Sequence, residues 1–428
     1  MNKIKAIINR IIGPIGLMRL MGPMGPMGLI GPIGFLLLVG CSKDSSEELP
    51  EQKAMGFSVT LAEKDTQHQA RQTTRAAAPG DGELTTAILQ KEGFGVYCWY
   101  TGNDLFTTPK PTSARTGSTE PYLLLMKNQR VTYSDDQWTY TPKKYWPLND
   151  NERLTLRAYA PYVSYDLIAD AETGMPLLPV VVEEDDYQNG TQHDPLWGTS
   201  KHDGTADADD AVTRNEVYGK LYTDYTHQMS GTLLAKDSRD GVVDWYFHHG
   251  MAKLMFNCKV IAEPGCDKVV IKGIKVTPLY KMGLLNISSS SETENYPDKP
   301  IWTECSGNLT TDIGADYLKE KPLTIMTNME PPAMTEDYPL LEKGLLIIPR
   351  TFSGDNKMTI TLTYSIDDDG TPLMAVANIT DKVFYGNTIY TLGLKLTPST
   401  QGLEITLVQS AFTAWIAGGT GNHTVYNW

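Results

Sequence analysis

Positive charge is scarce in this chain. Its 428 residues hold 37 Lys and Arg against 51 Asp and Glu, a formal charge of -14. Four of the basic residues (Lys3, Lys5, Arg10 and Arg19) fall in the first forty positions, which contain no acid. The remainder carries 33 basic and 51 acidic side chains, and a body that acidic repels phosphate backbones. No basic stripe overrides the repulsion, so nucleic acid is excluded as a partner. Cysteine is scarce too. Five are present with no Cys-x-x-Cys among them, which removes zinc ribbons and thioredoxin-like redox sites. No Gly-x-Ser-x-Gly, His-Glu-x-x-His, phosphate-binding loop or Gly-x-Gly-x-x-Gly occurs, so no common catalytic signature supports an enzyme. No cofactor or metal is expected. No period of 20 to 50 residues repeats, which argues against solenoids and propellers. Apolar residues at 41% and charged residues at 21% are ordinary globular proportions, and the length suits two domains or more.

The N-terminus reads as an address. Leu20 to Gly40 is uncharged and long enough to span a bilayer, but Pro23, Pro26, Pro32 and several glycines weaken it as a permanent helix. It ends in Leu38-Val39-Gly40-Cys41, a lipobox, in which a thiol takes a diacylglyceryl group after the signal peptide 1–40 is removed. Cys41 is therefore the expected lipidation site. Glycines at 22, 25, 28, 31 and 34 make a collagen-like repeat far too short for a triple helix. Met18 offers a later start that leaves Arg19 as the positive end of a shorter signal. Residues 41–54 form an acidic tether, with Asp44, Glu47 and Glu48 among its polar residues.

The body alternates with period two, the mark of half-buried strands. Phe57, Val59 and Leu61 share one face; Val131 to Tyr140 reads as a hairpin around Ser134-Asp135-Asp136-Gln137. Ile360 to Ile366, Met374 to Ala377, Tyr390 to Leu396 and Leu403 to Leu407 continue the pattern. The best helical candidate is Ala206 to Tyr225. The expected fold class is all-β, built of antiparallel sandwiches. Loops are expected at about 101–120 and 199–216, and a domain boundary between 230 and 240, giving domains 55–235 and 236–428.

Candidate chemistry is thin. Cys98 lies in an apolar run and reads as a buried thiol; Cys258 and Cys266 could close a short loop, and the sequence does not decide pairing among Cys98, Cys258, Cys266 and Cys305. His193-Asp194 and His202-Asp203, near Asp207, Asp209 and Asp210, lack regular ligand spacing and read as solvated loop. His248-His249 ends a strand, so one ring should point inward and one outward. Glu183 to Asp186 reads as a solvated acidic run rather than a glycosidase pair.

Several segments, in order, resemble the fimbrillin family, the Mfa-like or type V pilin lipoproteins of Bacteroidetes-type bacteria. They are Phe57-Ser58-Val59, Thr74-Arg75-Ala76-Ala77, Gly93 to Tyr97, the hairpin leading to Tyr145-Trp146-Pro147, Leu156 to Pro161 and Asp194 to Gly198. Phe247-His248-His249-Gly250-Met251-Ala252-Lys253-Leu254-Met255-Phe256 completes the series. Thr199 to Asp240 is longer than the family's spacing. The resemblance implies two transthyretin-like β-sandwich domains. It also implies an acylated, palmitate-bearing lipoprotein on the outer face of the cell outer membrane, or in a fimbrium. In polymerising members a trypsin-like protease cuts after an arginine and removes the first strand, and a neighbour's C-terminal strand fills the groove by donor-strand exchange. Carried onto this sequence, Met55 to Leu61 leaves, Arg75 is the cut site with Arg71 as the alternative, and Ala76 is the new N-terminus. The implied partners are other fimbrial subunits, the outer membrane, and host or microbial surface ligands in cell adhesion. The 22 Tyr and 8 Trp allow the alternative of a glycan-binding surface lipoprotein that does not polymerise.

Overall fold

Alternating side chains become strands wherever one face can be buried, and among the described residues nearly every regular element is a strand. The computed structural model describes residues 53–61, 86–106, 122–149, 151–200, 221–225, 241–290, 300–321, 323–327, 330, 333–367, 369–411 and 425–427. An eight-stranded sheet organises the N-terminal part. Its order is Gly56–Leu61, Val242–His249, Leu196–Ser200, Arg153–Ala160, Phe94–Gly102, Leu123–Ser134 and Gln137–Thr139, with Tyr222–Tyr225 also pairing with Arg153–Ala160.

The hairpin forms where expected. Asp135 and Asp136 both adopt positive φ (51° and 59°), the conformation that a right-twisted two-residue turn needs and that Asp tolerates better than most. A short helix, Thr86–Glu92, ends at Gly93, whose φ is 76° and whose N–H donates to Leu89 O at 2.8 Å. A Cβ at Gly93 would sit 2.4 Å from Val131 O, so only glycine fits. Phe94 then anchors the core: its ring lies 6.1 Å from Phe57, 5.5 Å from Phe247 and 5.1 Å from Trp138.

The second core is a sandwich. One sheet runs Tyr338–Pro339, Ala252–Val260, Thr388–Thr397, Gly402–Ala411 and Val425–Asn427, with Leu345–Ile347 on Ala252–Val260. The other runs Leu309–Gly314, Lys268–Leu279, Met358–Ile366 and Leu373–Ile379, with Leu323–Met326 on Lys268–Leu279. Phe256, Tyr390 and Leu392 from the first sheet meet Ile271, Ile360 and Tyr364 from the second in one apolar cluster. Each core uses the same device: its earliest strand pairs in parallel with a much later one. Gly56–Leu61 lies along Val242–His249, and Ala252–Val260 along Thr388–Thr397.

A four-stranded sheet joins the two cores. Ile168–Ala169 and Pro176–Val181 come from before the expected boundary, and Met282–Ser290 and Pro300–Ser306 from after it. The 235/236 boundary itself lies outside the described residues.

Three local expectations need correction. Tyr222–Tyr225, the end of the helical candidate, is a strand, because Leu154 and Leu156 offer it a ladder; residues 206–220 lie outside the described residues. His248 and His249 are both buried, because Val242–His249 is covered on both faces. Asp194 is buried as well, rather than solvated, and accepts a hydrogen bond from His249 Nδ1.

Candidate functional site

The first strand sits at an edge, and its surroundings define the site. Lys53 O accepts from Trp146 N–H at 2.9 Å, Met55 N–H donates to Lys144 O at 2.8 Å, and Gly56 N–H donates to Gly241 O at 2.9 Å. The chain therefore enters zipped between two neighbours and, among the described residues, continues along Val242–His249 alone. Met55 and Phe57 turn into the core, with Val59 half-buried beside them. The Tyr140 hydroxyl donates to Met55 O at 2.9 Å, and Trp146 Nε1 donates to Gly241 O at 2.8 Å. Burial pushes the Tyr140 hydroxyl up to about 12, so it stays a neutral donor at any ordinary pH.

Burying Met55 and Phe57 stabilises the N-terminal core by roughly 1.5 to 3 kcal/mol each, and half-buried Val59 adds less. Against a typical domain stability of about 5 to 15 kcal/mol, that is a large fraction resting on one edge strand. Beside the strand runs a cleft of about 740 Å³, bordered by Phe57, Val59, Leu89, Trp138, Asp136 and Lys143.

Among the described residues, no other expected site residue lines this cleft. Cys41, Arg71, Arg75 and Ala76 lie outside the described residues, as do His202, Asp203, Asp207, Asp209 and Asp210. The described first strand stops at Leu61, and description resumes at Thr86. Cys98, Cys258, Cys266 and Cys305 are free thiols. Burial holds Cys98 far above the ordinary thiol range, Cys258 up to about 12 and Cys305 up to about 11, which makes them poor nucleophiles. Glu183 pairs with Lys281 at 2.7 Å, and Asp186 accepts from Glu183 N–H at 2.7 Å, so this acidic run organises a turn. Among the described residues, no three His, Cys, Asp or Glu gather as metal ligands.

Two buried polar groups escaped the sequence reading. His249 and Asp194 meet in the interior where Val242–His249 ends and the second core begins. Arg157 is buried, its guanidinium lowered to about 9 by desolvation. It donates to Leu156 O at 2.8 Å and to Thr223 Oγ1 at 2.9 Å, fastening the Tyr222–Tyr225 strand. Neither had a local signal, since the side-chain partners, Thr223 for Arg157 and Asp194 for His249, come from distant parts of the chain.

Residues 74–415 match the family described as fimbrillin-like. Fimbrium subunit Fim1C of Phocaeicola vulgatus is 31% identical over 132 residues, which span 30% of this chain and 29% of that protein. Among solved structures, a fimbrial protein from Bacteroides vulgatus aligns with 85% of this chain and 100% of its own, at 18% identity and a TM-score of 0.47. A fimbrial assembly protein from Parabacteroides distasonis aligns with 88% and 99%, at 11% identity and a TM-score of 0.33. With the family match running through both cores and the sheet that joins them, the chain belongs to the fimbrillin-like family.

Proposed function

We propose that the protein is a fimbrial subunit of the cell surface, exported as a lipoprotein acylated on Cys41 and matured by removal of its first strand. A trypsin-like cut after Arg75, or alternatively Arg71, detaches Met55 to Leu61 from the chain that begins at Ala76. The vacated edge of Val242–His249 then takes an extended strand from a neighbouring subunit, by main-chain pairing and apolar side chains that replace Met55 and Phe57. Two sandwich domains carry the subunit, and its partners are other fimbrial subunits and the outer membrane.

The observation that carries this reading is the pairing of Gly56–Leu61. Among the described residues it is an edge strand held by one ladder; with Met55 just before it, it puts Met55 and Phe57 into the core, and it is followed by residues 62–85, which include both arginines. Losing such a strand exposes apolar surface and an unpaired edge together, a strong drive to assemble. Intact mass and N-terminal sequencing of surface-shed and membrane-bound protein test it. A shed, polymeric species beginning at Ala76 is expected. Acylated material beginning at Cys41 as the sole species on a polymerising cell would reject maturation by strand removal.

A further inference from the structure

A second, smaller cavity, about 260 Å³, opens beside the joining sheet, between Pro176–Val181 and residues 161–165 and 193–195. Val163, Leu178, Pro161, Pro179 and Pro195 give it an apolar lining, broken only by the side chains of Tyr165 and His193. Among the described residues, neither the Tyr165 hydroxyl nor the His193 ring has a hydrogen-bond partner. Both stand on backbone that is pinned. Asn128 Nδ2 donates to Val163 O at 3.0 Å and to Tyr165 O at 2.8 Å, and Val163 N–H donates to the Tyr159 hydroxyl at 3.3 Å. On either side of His193, Gln192 Oε1 accepts from Leu346 N–H at 2.8 Å and the Asp194 carboxylate accepts from His249 Nδ1. The cavity is therefore preformed, and the two polar groups in it are unused.

Size, lining and edge chemistry restrict the occupant. Ile168–Ala169 pairs only with Pro176 and Leu177, so among the described residues the outer edge of that strand is open from Leu178 to Val181. Pro179 lies in this stretch without an N–H, so the edge cannot carry a continuous ladder to an added strand. A sugar is a poor match, because its hydroxyls outnumber the two polar side chains and the remainder would lie against proline and valine. A cavity of roughly 150 Å³ accepts a benzene ring, so this one has room for two fused rings or one ring with a short chain. A tyrosine hydroxyl and an imidazole N–H can both donate to a single acceptor. We propose that the cavity binds a small aromatic molecule with one hydrogen-bond-accepting group on a short chain, its rings against Val163, Leu178 and the prolines and its acceptor held by Tyr165 and His193. His193 is exposed and Tyr165 half-buried, which keeps the acceptor's end in reach of water. Binding here is independent of whether the first strand is removed.

The test is ligand-observed NMR on the full chain in lipid nanodiscs, with empty nanodiscs as the blank, because detergent would compete for an apolar cavity. Indole-3-acetamide is the probe, and it should bind saturably with a Kd on the order of 0.1 to 1 mM, as befits so small a ligand. Tyr165→Phe should weaken it about 3- to 10-fold by removing one donor, while leaving the binding of indole, which has no acceptor, unchanged. Val163→Trp fills the cavity from a half-buried position and should abolish binding of both, with a urea midpoint to show that the variant is folded. No saturation up to about 10 mM probe would overturn the site. So would a Kd that both variants leave unchanged, or displacement of the probe by glucose, which would make the cavity a sugar site.

Discussion

Replacing Phe57 by Ala tests how much the first strand holds. The Phe57 side chain is 6% exposed, and its ring packs 6.1 Å from Phe94 and 5.2 Å from Tyr140. Phe-to-Ala changes in cores cost about 3 to 5 kcal/mol, from lost transfer energy and the cavity left behind. Here one side of the strand borders an open cleft, so water and neighbouring side chains can relax into the space. The low end, about 3 kcal/mol, is expected. At about 2 to 4 °C per kcal/mol for a unit of this size, the melting temperature should fall ~6 to 12 °C. Calorimetry and urea titration read the change. The urea midpoint should drop with little change in slope, because the surface exposed on unfolding is nearly unaltered. Ser58→Ala is the control: Ser58 is half-buried on the strand's other face, and its loss should stay within about 0.5 kcal/mol. A Phe57→Ala cost under ~1 kcal/mol, or one equal to the control, would show that the strand is an ornament on the sheet. The assembly mechanism would then lose its energy source.

Two further outcomes follow from buried polar groups. Asp194→Ala removes the carboxylate that accepts from His249 Nδ1 in the interior, and breaking a buried pair of this kind costs about 3 kcal/mol; a urea midpoint unchanged from wild type would show that the pair contributes nothing at the joint. Burial pushes the Tyr97 and Tyr140 hydroxyls up to about 12, and raises Tyr159, Tyr225 and Tyr390 further, against roughly 10 in the unfolded chain. Between pH 10 and 12 the folded state therefore binds more protons than the unfolded one. Its stability should be fully present below about pH 10 and fall as pH rises to 12. Absorbance at 295 nm against pH should show a late tyrosine step coinciding with unfolding; ionisation of all 22 tyrosines near pH 10 in folded protein would refute this.

Legibility followed the range of the interaction. The Val131 to Tyr140 hairpin, the strand Met358–Ile366 and the strand Thr388–Thr397 could be read from residues, because side chains two apart share a face whatever lies across the sheet. Fold class was readable for the same reason, as was family resemblance, which rests on the order of short segments. Val242–His249 shows where this stops. Covered on both faces, it carries no alternation, and so the fate of His248 and His249 could not be told from their neighbours. Tyr222–Tyr225 is a strand because Leu154 and Leu156 lie beside it, not because of its own composition. The parallel union of Gly56–Leu61 with Val242–His249, the meeting of Asp194 with His249, and the cleft beside the first strand belong to the tertiary structure alone. Alternation is set by the sterics of adjacent residues and is written into any stretch of chain. Partners far apart in the sequence are chosen only when the whole sheet closes, by whichever pairing buries the apolar faces and satisfies the backbone together.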